Sequence, residues 1–321
     1  MRAAAGVIRG GLLVLGLALA GCGVHDPAAD RELPPVVIRP LEADEPALVV
    51  CMIGDMGTGS WDQEDVADAM ALRAERDGWD FAVFLGDNFY PAGVESVDDE
   101  QWQTKHEEIY DAPVLQRIPF YVVLGNHDHK GNVQAQVDYS QRSERWRLPA
   151  RYYAFEETLG DGTRVAFFML DTQVMGPGNP AGEAQRAWLA EGLAASEADW
   201  KIVCGHHPVY SGAAKRGPTF RTEFGPFIEE TFVAGGVDLY LSGHDHVLDL
   251  TPPIEGVRYV VSGAGAGPGK ADLIDWTEHS EYAATGGGFV VLRITAEDLV
   301  IEFVRMDGET QYAATLERSA E

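Results

Sequence analysis

Five short apolar runs in this chain end alike, in a glycine followed by side chains able to bind metal. They read Gly54-Asp55, Gly86-Asp87-Asn88-Phe89-Tyr90, Gly125-Asn126-His127-Asp128, Gly205-His206-His207 and Gly243-His244-Asp245-His246. Apolar runs of this length bounded by glycine predict buried strands. In open α/β sheets the carboxyl ends of strands gather at one crevice. A single such motif decides little, because an aspartate after a strand is commonly a cap or turn residue. Five in chain order, spread over about 190 positions, predict that their polar residues meet in one site.

The segments between these runs fit that reading. Strands are expected at 47–54, 81–86, 119–125, 165–171, 200–205 and 237–243, and helices at 63–76, 100–110 and 184–196. From residue 256 onward the pattern is mainly strand, at 256–263, 287–295 and 299–306. Strand and helix in alternation, followed by strands, predict an α/β fold with two packed mixed sheets flanked by helices, in α/β/β/α layers. There is no internal repeat and no strong linker after residue 46, so residues 47–321 are expected to form one catalytic domain. With 45% hydrophobic residues a full core is within reach. The glycine-rich stretch 262–270 ends in Lys270 without the Gly-Lys-Ser/Thr of a P-loop and leads into no clear helix.

Residues 1–21 carry Arg2 and Arg9 before a short apolar stretch, and Leu19-Ala20-Gly21-Cys22 resembles a bacterial lipobox. The expectation is a lipoprotein signal peptide over 1–21, lipidation at Cys22, and a flexible Pro/Asp/Glu-rich tether over 22–46. That places the domain in the bacterial cell envelope, exported and lipid-anchored, with the membrane as a partner through Cys22. The net charge is −27, and −29 once Arg2 and Arg9 are removed. Such a chain has nothing basic to meet many phosphates, so nucleic acid binding is not expected. No obligate protein partner is implied. Cys51 and Cys204 lie within predicted strands and are expected to be buried and free.

The strand-end set comprises Asp, Asp, Tyr, Asn and three His, with no thiol. Carboxylate and imidazole suit iron, zinc or manganese. Seven ligands exceed one tetrahedral site and suit two metals sharing a bridging carboxylate, which would clamp a phosphoryl group and activate water.

The order of these motifs resembles the calcineurin-like metallophosphoesterases. The tyrosine narrows the resemblance to the purple acid phosphatases, in particular the small, animal-type tartrate-resistant enzymes. It runs over residues 48–262 and includes VLGNHDHKGNVQAQVDYS, FFMLDT and CGHHPVYS…GPT. The resemblance implies Fe(III) held by Asp55, Asp87, Tyr90 and His246. It implies Fe(II), Zn or Mn held by Asp87, Asn126, His206 and His244, with Asp87 bridging. Tyr90 would bind as phenolate and give the family its colour. The implied reaction is hydrolysis of a phosphate monoester by a metal-bound hydroxide. Asn126, His127 and Arg216 would meet the substrate, His127 would protonate the leaving oxygen, and Asp128 would orient His127 or cap the next turn. Asp245 is expected behind the ligands.

The chain departs from that family in three places. Arg216 stands before Gly217-Pro218-Thr219 where relatives carry His; a guanidinium can bind phosphate but donates no useful proton. The loop 173–182 is short, so activation by its cleavage is not implied. His207 replaces an aromatic residue. His129 has no assigned role, and His106 and His279 read as ordinary helix or loop residues. Two alternatives stand beside the monoesterase: a phosphodiesterase or nucleotide phosphatase of the same chemistry, and a metal-carrying binding lipoprotein with little turnover.

Overall fold

The computed structural model describes residues 36–42, 45–176, 178–213, 219–266 and 280–318. Its frame is two seven-stranded mixed sheets. The first contains β1 (Leu48–Ile53), β2 (Phe81–Leu85), β3 (Phe120–Val123), β4 (Trp146–Arg147), β12 (Gly288–Ile294), β13 (Asp298–Arg305) and β14 (Thr310–Glu317). Its order is β14-β13-β12-β1-β2-β3-β4, with β1, β2 and β3 parallel and β12 antiparallel to β1. The second contains β5 (Tyr153–Thr158), β6 (Arg164–Met169), β7 (Trp200–Cys204), β8 (Leu239–Ser242), β9 (Leu248–Leu250), β10 (Arg258–Ser262) and β11 (Tyr282–Ala284), in the order β11-β9-β10-β8-β7-β6-β5.

Period-two alternation shows how the sheets pack. Val165, Phe167, Met169, Ile202, Leu239 and Leu241 share one buried cluster with Val50, Met52 and Val83 of the first sheet. The alternate residues Ala166, Phe168, Val203 and Tyr240 pack instead with Leu189, Leu193, Ile228 and Phe232. Those four come from α3 (Pro180–Ala195) and α4 (Thr219–Gly235), which cover the outer face of the second sheet. On the first sheet the cover is α1 (Trp61–Asp77) with the short α2 (Val133–Tyr139). The α/β/β/α expectation is met. Ser60 caps α1 by accepting from Gln63 N, and Gly78 ends it in the left-handed region at φ 72°. Cys51 and Cys204 are buried and free. No described helix is long and apolar enough to cross a membrane.

Several elements differ from expectation. The helix expected over 100–110 is present over 101–107, and its last five residues, Gln103–Glu107, form a π-helical turn. The sequence reading missed α4, whose 3.6-residue pattern is interrupted by Gly225-Pro226, and it missed the short or edge strands β4, β5, β9, β11 and β14. His106 is not an ordinary helix or loop residue. It is buried among Phe84, Trp102, Phe120 and Trp146, and neither ring nitrogen has a hydrogen-bond partner.

Burial in that apolar cage pushes the His106 imidazole down from 6.5 to about 3. The unfolded chain therefore takes up this proton first. The stabilising effect of a neutral His106 is complete above about pH 6.5 and is lost as pH falls toward 3. Between pH 7 and pH 5 this one group is expected to cost about 2 kcal/mol. His106→Leu should lose that share of acid sensitivity. Chemical denaturation at both pH values checks it, and parallel pH slopes for the two proteins would refute it.

Candidate metal centre

All five strand-end motifs meet at one end of the two sheets. Asp55, Asp87 and Asn126 follow β1, β2 and β3; His206 and His244 follow β7 and β8. The sheets come very close here. Gly54 N donates to Ser262 O at 2.8 Å. A Cβ on Gly86, whose φ is 93°, would lie 2.5 Å from His206 Nδ1. One on Gly125 would lie 2.2 Å from the Asp87 backbone nitrogen. Glycine at both positions is required by this approach. Asp55, Asp87 and His244 themselves sit in the left-handed region, at φ 60°, 54° and 68°. Such conformations cost of the order of 1 kcal/mol each and concentrate at functional sites.

The polar atoms fall into two groups. Tyr90 Oη lies 2.9 Å from Asp55 Oδ1, 2.9 Å from Asp87 Oδ2 and 3.2 Å from His246 Nε2. Asn126 Oδ1 lies 3.2 Å from His206 Nε2 and 2.9 Å from His244 Nδ1, and those two nitrogens are 3.2 Å apart. Asp87 belongs to both groups: its Oδ2 faces Tyr90, while its Oδ1 is 3.3 Å from His206 Nε2.

This donor set fits two cations. His206 Nδ1 is 2.9 Å from Leu85 O, so it carries the proton and donates. The Nε2 lone pair of a neutral His206 then faces the oxygens of Asp87 and Asn126 and the His244 ring, which is acceptor against acceptor. Adjacent ligands at right angles on one ion, each bonded at about 2.1 Å, stand about 3 Å apart, and the observed separations lie close to that. Without a metal a proton has to serve as the cation. Burial alone would lower His206, but the Asp87 carboxylate raises it to about 9. Burial would raise Asp87, yet the charge and hydrogen bond of His206 hold it well below the usual carboxylate range. Burial, and then the carboxylates of Asp55 and Asp87, push the Tyr90 phenol far above its ordinary value. A strongly charged cation is needed to take the proton from that phenol.

The residues around the ligands are also placed. Asp55 Oδ2 accepts from His244 N at 2.6 Å, and Asp87 Oδ1 accepts from His127 N at 2.8 Å. His127 is half-buried, with its ring 4.4 Å from the Tyr90 ring. Asp128 does not act as a partner of the His127 ring. It is fully buried and accepts from Gly125 N at 2.7 Å, Asn88 N at 3.1 Å, Asn88 Nδ2 at 3.1 Å and Gln136 Nε2 at 2.9 Å. It thereby fastens the β2 and β3 loops to each other, so it is a positioning residue. Burial and the nearby Asp87 push its carboxyl up to about 6.

Asn88, Gln136 and Thr172 were missed as site residues. Thr172 Oγ1 lies 2.7 Å from His207 Nδ1 and accepts from His206 N, which fixes both histidines. The signal for Asn88 lay in the Gly-Asp-Asn run. Gln136 and Thr172 lay within the runs VLGNHDHKGNVQAQVDYS and FFMLDT that carry the family resemblance, but no local pattern marked their side chains as supports of the site. His129 gains a partner, with Nε2 2.9 Å from Oδ1 of the buried Asp171. Asp245, between His244 and His246 in the sequence, is buried. Cys22, Arg216 and His279 lie outside the described residues.

Comparison with known proteins agrees with this geometry. Residues 48–248 match the calcineurin-like phosphoesterase family, and the chain belongs to it. Within that family its place is among the purple acid phosphatases. It is 34% identical to tartrate-resistant acid phosphatase type 5 of Oryctolagus cuniculus, over 76% of this chain and 81% of the relative. It is 32% identical to a purple acid phosphatase of Arabidopsis thaliana, over 81% and 80%. Among solved structures, an anchor protein of the inner membrane complex of Plasmodium superposes with a TM-score of 0.77 at 25% identity, over 86% of this chain and 90% of that one.

Proposed function

We propose that this protein is an exported, lipid-anchored acid phosphatase that hydrolyses phosphate monoesters at a two-metal centre. Support comes first from Asp87, whose two carboxylate oxygens divide between two ligand groups, one of which contains a tyrosine. We assign Fe(III) to Asp55, Asp87, Tyr90 and His246, and Fe(II), Zn or Mn to Asp87, Asn126, His206 and His244. The export signal and Cys22 anchor rest on the sequence alone. The preference for monoesters rests on the acid phosphatase relatives.

Two bound ions would supply neutralisation of phosphate charge and activation of water for in-line attack. The chain supplies the rest. Asp128, Asn88 and Gln136 hold the two carboxylate-bearing loops in register. Leu85 O holds the His206 tautomer with Nε2 free. Asn126, a neutral ligand, adds no negative charge on the face where an anionic substrate arrives. His127, placed by its backbone bond to Asp87, stands beside that face; with Nδ1 donating to Pro91 O its Nε2 is an acceptor, so it would protonate the leaving oxygen only after taking up a second proton there.

The test is a visible spectrum of residues 23–321 purified without chelator, beside Tyr90→Phe. A broad visible band present in the wild type and lost in the variant is the expected result. A colourless wild type with two metals and activity on phosphate esters would remove the Fe(III)–phenolate assignment and favour a diesterase. A matched monoester and diester decide that preference.

A second reading, a binding protein with little turnover, draws on the Plasmodium anchor protein as a structural neighbour. The complete set of seven ligands weighs against it, and the same hydrolysis assay separates the two.

A further inference from the structure

Beside His127 stands a cation that neither the ligand motifs nor the expected substrate contacts include. Lys130 ends the 3-10 turn Asp128–Lys130, and its backbone N donates to His127 O at 3.1 Å. The turn brings both side chains to one side. Lys130 Nζ lies 3.1 Å from His127 Nδ1 and 3.2 Å from Nε2. His127 Nδ1 is also 2.7 Å from Pro91 O, an acceptor with no proton of its own, so Nδ1 carries the hydrogen. Only Nε2 then has a lone pair for the ammonium, and that bond uses one of its three N–H groups.

The remaining two have no carboxylate. Lys130 is exposed and forms no ion pair with any described residue, in a chain with 51 acidic and 24 basic residues. Its neighbours in the fold behave otherwise: Arg142 pairs with Asp98, and Arg145 with Glu107. On the far side of Pro91 a cleft is lined by Glu95, Asp98 and Asp99. Asp98 is paired with Arg142, which leaves Glu95 and Asp99 as acidic groups of that cleft, and Lys130 is a cation on the His127 side. The His127 ring that carries the ammonium packs against Tyr90, whose Oη belongs to the first ligand group.

We propose that Lys130 is a direct phosphate-binding residue of this site. Its free N–H groups take a phosphate oxygen that the metals leave outside their coordination, next to His127. The inference deepens the phosphatase reading and rests on it. It also shifts part of the role expected of Arg216 to a residue of the GNHDHKGN run.

The experiment compares metal-loaded wild type, Lys130→Met and Lys130→Arg. It measures the Kd of inorganic phosphate by calorimetry together with KM and kcat for a monoester. Lys130→Met is expected to weaken phosphate binding and raise KM by about five- to tenfold, with kcat within about twofold, as for loss of one charge-assisted hydrogen bond at a partly exposed site. Lys130→Arg should recover most of the affinity, and the gap should narrow in about 0.5 M salt.

The same substitution in a His127→Ala background separates binding from positioning. A loss of phosphate affinity that persists there supports direct contact. A loss that vanishes, or an unchanged Kd in Lys130→Met, overturns the proposal. Wild type that binds phosphate without hydrolysing esters would overturn the enzyme reading while the Kd comparison still decides Lys130. Wild type that binds no phosphate overturns both.

Discussion

Asp87→Asn is expected to lower phosphatase activity by about a thousandfold or more and to drop bound metal from two ions per chain to one or fewer. The substitution is nearly isosteric and can keep the 2.8 Å bond from His127 N, so the fold should survive. What it removes is the anionic charge shared between the Tyr90 group and the His206 group. Loss of a charge that two cations hold in common is worth several kcal/mol of transition-state stabilisation, and each 1.4 kcal/mol is about tenfold in rate. Asn126→Ala is the contrast, because Asn126 faces only His206 and His244. It should lose one metal and keep the visible band. Elemental analysis and a monoester assay check both variants. Two metals retained in Asp87→Asn, with activity within tenfold of wild type, would defeat the bridging assignment.

Stripping the metals should lower the melting temperature by about 8 °C or more, since a ligand present at a thousand times its Kd adds about 4 kcal/mol and a domain this size shifts about 2 °C per kcal/mol. The cause lies in the geometry described above. Acceptor atoms face each other at 2.9–3.4 Å, and a metal-free chain has to keep them apart with protons on His206 and Tyr90. Those protons compete with metal, so the stabilisation by a fixed metal concentration should shrink as pH falls. Scanning calorimetry with and without chelator at two pH values measures both effects. Equal melting temperatures would mean that the cluster binds no metal in the tested range.

Much of this was legible because strand ends leave a plain local mark. An apolar run, a glycine and a ligand survive in one dimension, and the five motifs predicted the convergence of Asp55, Asp87, Asn126, His206 and His244 correctly. Tyr90 was legible as a metal-capable residue of the Gly86–Tyr90 run, but its role as an iron-bound phenolate came only through resemblance. The misses have physical causes. Gly225-Pro226 hid α4 from its hydrophobic period. The strands β9 and β11 are three residues each, too short to alternate. Asp128 read as orienting His127 or capping the next turn, but its side chain accepts from Gly125, Asn88 and Gln136, and such pairings are set by tertiary packing. His106 read as an ordinary helix or loop residue because nothing local reveals that five aromatic rings close around it.

The two groups of candidate ligands are each drawn from both sheets, and this has a consequence for the order of folding. Asp55, Asp87 and Asn126 come from the first half of the chain, and His206, His244 and His246 from the second. Neither half can present a complete coordination shell, and the last ligand is placed only after β8 has joined its sheet and the two sheets have docked. Contacts of such long sequence separation form late and slowly. Metal capture is therefore expected to be the closing event of assembly, and a chain that has misdocked its sheets would have no complete ligand set to offer.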